Sequence, residues 1–206
     1  MPPEFPAHAG YVAAFREIAA RVAASLAQLP PAALPIQMYV AGGAALHFHT
    51  GGRVSADVDA AFSRLIALPD GLDIAWRDDD GSARLLYFDR QYNDTFGLIH
   101  EDAYEDSIAL ALAGIDPRVL DVRILTPLDL AVSKLGRYSA QDRADIATLA
   151  ERGLLDPVAL ENRALEAIGN YVGDTRRLRG NMTDAVKLVA NRTRRSAAGQ
   201  DPRHLQ

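Results

Sequence analysis

Cysteine is absent from the 206 residues of this sequence. Its absence excludes disulfide bonds, zinc–thiolate sites and cysteine nucleophiles, and it suits a reducing compartment such as the cytoplasm. The opening residues, MPPEFPAHAG, lack the charged start and apolar run of a secretion signal. Long hydrophobic runs are also missing, since no segment approaches the roughly 20 apolar residues that a membrane span needs. The sequence therefore predicts a soluble, cytoplasmic protein with no membrane partner.

Aromatic residues are scarce, at 7% of the chain, and the net charge of −5 is unevenly distributed. Residues 174–203 carry a net charge of +5, which leaves −10 for the rest of the chain. This segment has three acidic residues, Asp174, Asp184 and Asp201, and eight basic ones: Arg176, Arg177, Arg179, Lys187, Arg192, Arg194, Arg195 and Arg203. Two interpretations stay open: a surface for nucleic-acid phosphate or an acidic partner, and a solvated helix with a frayed end. Because the segment lacks aromatics on which bases could stack, it does not by itself predict single-strand readout.

Hydrophobic periodicity and capping residues predict the regular elements along the chain. We expect helices at 8–29, from 126, at 139–153, from 156 and at 175–194, and strands at 72–76, 84–89, 96–100 and 119–125. The acidic run at 78–80 precedes Gly81 and predicts a hairpin rather than a metal site. His47 and His49 form an H-x-H pair, but a zinc site would need further ligands and none is evident nearby.

The stretch from 38 to 62, MYVAGGAALHFHTGGRVSADVDAAF, predicts a strand, a glycine turn, a short helix and a second strand. Gly42 and Gly43 end the first strand, and paired glycines let the backbone turn sharply and approach a ligand closely. Asp57 and Asp59 open the second strand two residues apart. Because side chains alternate along a strand, both carboxylates project to the same face, and Val58 points into the core.

Two carboxylates on one face repel each other unless a cation lies between them. Their hard oxygen atoms suit Mg²⁺ (or Mn²⁺), which commonly completes its shell with substrate phosphates. The turn at Gly42 and Gly43 can offer backbone N–H groups to those phosphates. A phosphate cradle beside a carboxylate pair predicts phosphoryl or nucleotidyl transfer. The alternatives are an edge strand whose polar face is solvated, for Asp57 and Asp59, and a plain tight turn for the glycines.

These motifs resemble the signature of the polymerase-β-type nucleotidyltransferase superfamily, which has GG, a short helix and D-x-D on a strand. The longer string of Gly42 to Leu46 (GGAAL) with R-x-S-x-D-x-D at 53–59 resembles one branch, the AbiEii-type toxins of bacterial toxin–antitoxin and abortive-infection systems. Two later stretches, LTPLDLAVSKL at 125–135 and DRADI at 142–146, are similar to the lysine helix and the following aspartate helix of that branch. The resemblance covers roughly residues 36–150.

The resemblance implies an α/β (α+β) fold: a small mixed sheet flanked by helices, followed by a helical C-terminal lobe. We therefore expect a core lobe at 1–125 and a helical lobe at 126–206, with about 195–206 flexible. By the same resemblance Lys134 holds the triphosphate of an NTP, and Asp142 or Asp145 acts in the active site, with Lys134 and Asp142 facing the carboxylate pair across a cleft. Asp121, in a later strand, would be the third carboxylate and the general base.

Each of these further candidates has a structural alternative. Arg53 either binds the triphosphate or pairs with Asp57, and Ser55 is placed to touch the metal shell or the phosphates. Asp121 fits equally well on the solvent face of an alternating strand. Lys134 either snorkels to the surface or points at an anion. Asp142 matches a capping box, so the choice between it and the aspartate three residues later stays open.

The first functional hypothesis is an enzyme that transfers an NMP from an NTP to an acceptor hydroxyl and releases pyrophosphate. The resemblance implies a toxin with transfer RNA as acceptor and an antitoxin as partner. Within enzymes, the alternative is nucleotidylation of a protein or of a small molecule such as an aminoglycoside. The other classes are a non-catalytic nucleotide-binding module and a plain RNA-binding protein. The joint presence of Asp57, Asp59 and Lys134 favours the enzyme.

Overall fold

A computed structural model describes residues 5–92 and 97–199, with side chains as far as residue 195. The elements in chain order are α1 (Ala9–Leu26), β1 (Ile36–Val40), α2 (Gly42–Thr50), β2 (Asp57–Val58), β3 (Ala60–Phe62), β4 (Asp73–Arg77), β5 (Ala83–Phe88), β6 (Ile108–Ala109), β7 (Leu120–Ile124), α3 (Pro127–Lys134), α4 (Ala140–Glu151), α5 (Pro157–Gly169) and α6 (Arg176–Gly199). Two short 3₁₀ turns cover Pro31–Ala33 and Glu101–Ala103. These elements divide into two compact units.

The first unit holds the two small sheets and contains the described residues up to 92 together with Tyr104–Thr126. One sheet has the order β3-β1-β7-β6, in which β1 and β7 are parallel and the other pairs are antiparallel. The other sheet has the order β2-β5-β4, with a parallel β2–β5 pair and an antiparallel β4–β5 hairpin. With helices packed against them, these sheets confirm the predicted mixed α/β fold.

The sequence explains why β1 and α1 form. In β1 (IQMYV), buried residues alternate with half-buried ones, as expected for a strand with one apolar face. In α1, His8 caps the first turn, since its Nδ1 accepts hydrogen bonds from the amides of Gly10 and Tyr11. The helix buries an apolar stripe at three- and four-residue intervals against β4, β5 and β7, formed by Tyr11, Ala14, Phe15, Ile18, Ala19, Val22 and Leu26.

The single strand predicted from Asp57 is in fact two strands in different sheets. Asp57 pairs with Tyr87 of β5, whereas Ala60 pairs with Val40 of β1. The chain therefore changes sheets at Asp59, whose carbonyl accepts a 2.9 Å hydrogen bond from the amide of Ala41. This crossing brings Asp59 to the end of β1, where α2 begins.

Other strand predictions had mixed outcomes. The hairpin at 78–81 is confirmed: Asp78 N donates to Ser82 O at 3.0 Å, and Gly81 has a φ of 80°. The strand predicted at 96–100 is wrong for 97–100, which form no strand, while Phe96 lies outside the described residues. The sequence did not predict β6, because two residues are too few to show a hydrophobic period.

The second unit is helical and contains residues 97–103 and the described chain from Pro127. In it α3 packs on α4 and α5, and α6 packs on α4 and α5. The predicted capping box is confirmed, since Ser139 caps α4, and the predicted helix start at 156 is confirmed by Asp156, which caps α5. Helix α6 continues to Gly199, so 195–199 are helical rather than loose, and 200–206 lie outside the described residues.

The segment 97–103 belongs to this helical unit, although the sequence placed it in the core lobe. His100 is buried, and its Nε2 lies 3.0 Å from Glu166 Oε2 on α5. Its Nδ1 accepts the amide N–H of Asp102 at 3.1 Å. These bonds explain why a segment far upstream in sequence joins the helices. Within 5–92 and 97–199, no helix has both the length and the hydropathy that crossing a bilayer requires.

Candidate nucleotide-binding site

The turn between β1 and α2 depends on Gly42. Its φ is 57°, in the left-handed region that side chains disfavour. A Cβ atom at this position would overlap the carboxylate of Asp59, with Cγ at 2.8 Å and Cβ at 3.0 Å. Glycine is therefore required twice here, for the backbone conformation and for the close approach of Asp59.

Gly43 allows a second close approach in the same turn. A Cβ atom on it would lie 2.6 Å from Ser55 Cβ and 3.2 Å from Arg53 Nη2. The side chains of Ser55 and Arg53 thus lie directly against the glycine backbone, on the segment that leads from α2 to the carboxylates. Ser55 is 5% exposed, whereas Arg53 is exposed to solvent.

Ser55 connects the turn to the first carboxylate, because its Oγ donates a hydrogen bond to Asp57 Oδ1. Asp57 and Asp59 are both half-buried, and Val58 between them is fully buried. The alternation predicted from the sequence is therefore present, although the strand is broken. The structure brings together six of the predicted site residues: Gly42, Gly43, Arg53, Ser55, Asp57 and Asp59.

The start of α2 has no side-chain cap among the described residues, because Ala41 occupies the position where Ser, Thr or Asp usually stands. The amides at a helix start carry a partial positive charge, which favours anionic groups nearby. The carboxylate of Asp59, seated against Gly42, lies at this positive end. The same end of α2 suits phosphate oxygens, as at other glycine turns that open a helix.

Tyr11 of α1 packs against α2, the helix that begins at the glycine turn, and the sequence did not predict it as a residue near the site. The side chain is fully buried, and its hydroxyl has no hydrogen-bond partner among the described residues. Its ring packs edge-on against His47 of α2, with centroids 4.6 Å apart. Burial raises the pKa of Tyr11, and the negative charges of Asp57 and Asp59 raise it further, so the phenol stays protonated. The only sequence signal was a hydroxyl within an otherwise apolar helical stripe.

The ring of His47 forms hydrogen bonds with the backbone at His8 and at Gly52, next to the site. Its Nε2 accepts the His8 amide N–H at 3.0 Å, and its Nδ1–H donates to Gly52 O at 3.0 Å. Both ring nitrogens are therefore committed to the backbone, which leaves no lone pair for zinc. Burial lowers the pKa of His47. His49 is also turned inward, since its Nε2–H donates to Leu125 O at 2.8 Å, and burial lowers the pKa of His49 as well.

Asp121 lies at the other end of the four-stranded sheet. It pairs with Gln37 of β1, four residues before Ala41, where the Asp59 carbonyl is bound. At about 3.3 Å per residue this separation is about 13 Å along the strand. Asp121 instead lies 3.4 Å from Arg123 Nη1 and lines a separate cavity of about 560 Å³. The structure does not bring Asp121 to the carboxylate pair, and it supports the solvent-face alternative.

Lys134 of the helical unit is buried, with 7% of its surface exposed, which excludes snorkelling. Its Nζ lies 2.7 Å from Asp145 Oδ2 and 4.0 Å from Asp142 Oδ1. Gln141 Nε2 donates to the other oxygen of Asp145 at 2.8 Å. The three predicted residues of this unit therefore form one buried ionic network between α3 and α4. Their roles with a nucleotide stay predictions.

Asp142 has the capping role that the sequence offered as an alternative. It accepts 2.8 Å hydrogen bonds from Arg137 Nε and Nη2 and from the Ser139 amide. Burial alone would raise the pKa of Asp142, but the bonds from Arg137 and Ser139 outweigh it and lower the pKa to about 2. Asp129 is likewise structural, since Arg163 of α5 holds both its oxygens at 2.8 and 3.1 Å.

Comparison with known families agrees with the site in the first unit. A family model described as "Nucleotidyltransferase of unknown function (DUF6036)" matches residues 19–183, which include the glycine turn, the carboxylate pair and the ionic network. The chain belongs to this family. No curated protein and no solved structure matches it. The family places the chain among the nucleotidyltransferases, as its motifs predicted, without pointing to the AbiEii-type branch.

The residues of this DUF6036 chain fit a hard divalent cation with a nucleotide. The donors at the site are carboxylate and hydroxyl oxygens, which Mg²⁺ and Mn²⁺ prefer, and they lie directly against the glycine turn that opens α2. A second cluster brings His8, Asp78 and Asp79 together. It is less suitable, because His8 caps α1 through Nδ1 and contacts Asp79 through Nε2 at 2.7 Å.

Proposed function

We propose that this protein is a Mg²⁺-dependent nucleotidyltransferase that transfers an NMP from an NTP to an acceptor hydroxyl. The observation that carries the proposal is the seating of Asp59 against Gly42, with Ser55 and Arg53 against Gly43, in a chain of a nucleotidyltransferase family. A tight turn alone would need one glycine with a positive φ. It would not need two glycines whose missing Cβ atoms both make room for polar side chains.

In this proposal Asp57 and Asp59 hold the cation, and Ser55 orients Asp57 through the hydrogen bond that it donates. The cation, when bound, supplies positive charge to the carboxylate pair and to the phosphate under attack. The glycine backbone lets the triphosphate approach α2 closely, and the exposed guanidinium of Arg53 can bind it with two hydrogen bonds. The acceptor hydroxyl releases its proton to solvent and its oxygen forms a bond to the α-phosphorus, while the bond from the α-phosphorus to the bridging oxygen breaks and pyrophosphate leaves.

We further propose RNA, and transfer RNA in particular, as the acceptor, in a toxin that a cognate antitoxin neutralises in the cytoplasm. This finer proposal rests on the resemblance of GGAAL and R-x-S-x-D-x-D to the AbiEii-type branch, and the basic residues of α6 agree with it. The competing acceptors are a protein and a small molecule. A non-catalytic nucleotide-binding module is the alternative outside enzymes.

The test is incubation with each α-³²P-labelled NTP, Mg²⁺ and total bacterial RNA plus protein. The inactive control is Asp57→Asn/Asp59→Asn, which removes both charges at constant volume, and the matched control is Asp121→Asn, which removes a carboxylate distant from the pair. We expect label in RNA with the unchanged chain and with Asp121→Asn, and none with the double variant.

Label on protein would identify a protein acceptor. Label that persists in Asp57→Asn/Asp59→Asn would contradict the assigned site. Absence of label from every acceptor, with folded protein and Mn²⁺ also tried, would favour the binding module.

A further inference from the structure

A groove of about 540 Å³ lies between α4 and α6 in the helical unit. Three cationic side chains line it: Arg143 from α4, and Lys187 and Arg192 from α6. Among the residues whose side chains are described, Asp184 is the one carboxylate in the lining, and the remaining wall is formed by Tyr138, Ala144, Ala147, Leu188 and Asn191. The groove therefore has a net positive charge within a chain whose net charge is −5.

Two of these cations have no counterion among the residues whose side chains are described. Arg192 pairs with Glu151 at 2.6 Å, and Asp184 accepts a 3.3 Å hydrogen bond from the Tyr138 hydroxyl. In contrast, neither Arg143 nor Lys187 forms an ion pair with any carboxylate in the part of the chain whose side chains are described. Because like charges on facing helices repel each other, an anionic ligand in the groove would be favourable.

Tyr138 contributes an aromatic ring to the lining of the groove, although its backbone has an unfavourable conformation. Its φ is 51°, and its amide donates to Lys134 O at 2.9 Å, so it occupies the left-handed position after α3 where glycine or asparagine is usual. A bulky residue at such an angle is rare, and strained residues of this kind cluster at ligand sites. The guanidinium of Arg143 lies 5.7 Å from the centre of the Tyr138 ring, beside the groove.

We propose that the groove between α4 and α6 binds single-stranded RNA, with a base stacked on Tyr138 and phosphates on Arg143 and Lys187. Aromatic faces beside cations are how proteins hold single strands without reading their sequence. The basic segment 174–203 contains no aromatic residue, and the fold supplies one from the turn between α3 and α4. The choice of RNA over DNA rests on the proposed function, whereas the inference that the groove binds a single strand does not depend on it.

The test uses the full chain and a fluorescein-labelled 12-mer of uridine RNA, with anisotropy measured at several salt concentrations. Arg143→Ala/Lys187→Ala should weaken binding at least tenfold and reduce the salt slope by about 1.4, because each of the two cations neutralises one phosphate of a single strand. Tyr138→Gly suits the backbone angle and should keep the fold while it weakens binding about tenfold, as expected when one base no longer stacks on an aromatic ring.

The matched control is Arg84→Ala/Arg118→Ala, which removes the same charge from exposed arginines of the first unit and should leave binding unchanged. Asp57→Asn/Asp59→Asn should also bind RNA normally, so a failure of the transferase proposal would leave this result intact. Unchanged affinity and salt slope in Arg143→Ala/Lys187→Ala would overturn the groove proposal even if RNA is labelled. Equal competition by free UMP, or by polyglutamate, would also overturn it, since the occupant would then be a mononucleotide or an acidic chain.

Discussion

Replacement of Tyr11 by phenylalanine should stabilise the ligand-free protein. The substitution removes only the hydroxyl, which is buried and has no hydrogen-bond partner among the described residues, and it keeps the ring packing with His47, Phe48 and Trp76. A buried, unsatisfied polar group costs about 1–3 kcal/mol, so the free energy of unfolding should rise by that order. Since 1 kcal/mol shifts the Tm of a chain of this size by about 2–4 °C, the rise should be roughly 2–12 °C.

The same substitution should weaken ligand binding, because the Tyr11 ring packs against His47 of α2 and its hydroxyl is a donor with no partner among the described residues, in the field of Asp57 and Asp59. The loss of one hydrogen bond, worth about 0.5–1.5 kcal/mol, should lower the affinity for Mn²⁺ with ATP roughly 2- to 10-fold. Higher stability with weaker binding is the pattern expected where a polar group is kept for function.

The assay combines thermal unfolding without ligand and calorimetric titration with Mn²⁺ and ATP. Tyr87→Phe is the control for stability, since Tyr87 is 42% exposed and its hydroxyl is not a buried polar group, so the Tm should not change. A lower Tm for Tyr11→Phe would show that the hydroxyl is satisfied in the folded protein. An unchanged affinity would show that it takes no part in the site. Either result would refute the reasoning.

Three further predictions concern the turn, the ionic network and pH. Gly43→Ala forces apart the side chains that lie against the turn, so unfolding should become easier by about 1–3 kcal/mol and nucleotide affinity should fall, as denaturant unfolding and titration can show. Lys134→Met leaves the Asp145 carboxylate buried without its lysine, so the free energy of unfolding should fall by about 3–5 kcal/mol. Adding Asp145→Leu should recover most of this loss, which would identify the ion pair as structural. Burial lowers the pKa of His47 and His49 in the folded protein, whereas a histidine in the unfolded chain has a pKa of about 6.5. Below pH 6.5 the unfolded chain therefore binds more protons than the folded one. The Tm should be steady above pH 6.5 and fall as the pH drops from 6.5 to 5.

Features that depend on neighbouring residues were predictable from the sequence. The period of α1 follows from its own apolar stripe, the start of α4 follows from Ser139 and Asp142, and the hairpin follows from Gly81. In each case the deciding interaction joins residues at most a few positions apart. The role of Gly42 was predictable in part, since the paired glycines indicated a close approach without showing which side chain comes close.

Features that depend on distant pairing were not predictable. The strand break at Asp59 arises because Asp57–Val58 pair with β5, whereas Ala60–Phe62 pair with β1 in the other sheet. Asp121 has the local pattern of a catalytic strand carboxylate, yet its register with Gln37 puts it far from the pair. The lysine of the apolar helix was predicted to point at an anion, and only the fold shows that Asp145 lies 2.7 Å from Lys134.

The most direct test of the central claim is whether Asp57 and Asp59 bind a nucleotide through a divalent cation. Calorimetric titration with α,β-methylene ATP, which cannot release pyrophosphate, should show binding that requires Mg²⁺ or Mn²⁺. Asp57→Asn/Asp59→Asn should remain folded, as judged by its thermal unfolding, and should lose this metal-dependent binding. Equal affinity in the double variant, or binding that EDTA leaves unchanged, would contradict the assignment of the glycine turn and the carboxylate pair as the nucleotide site.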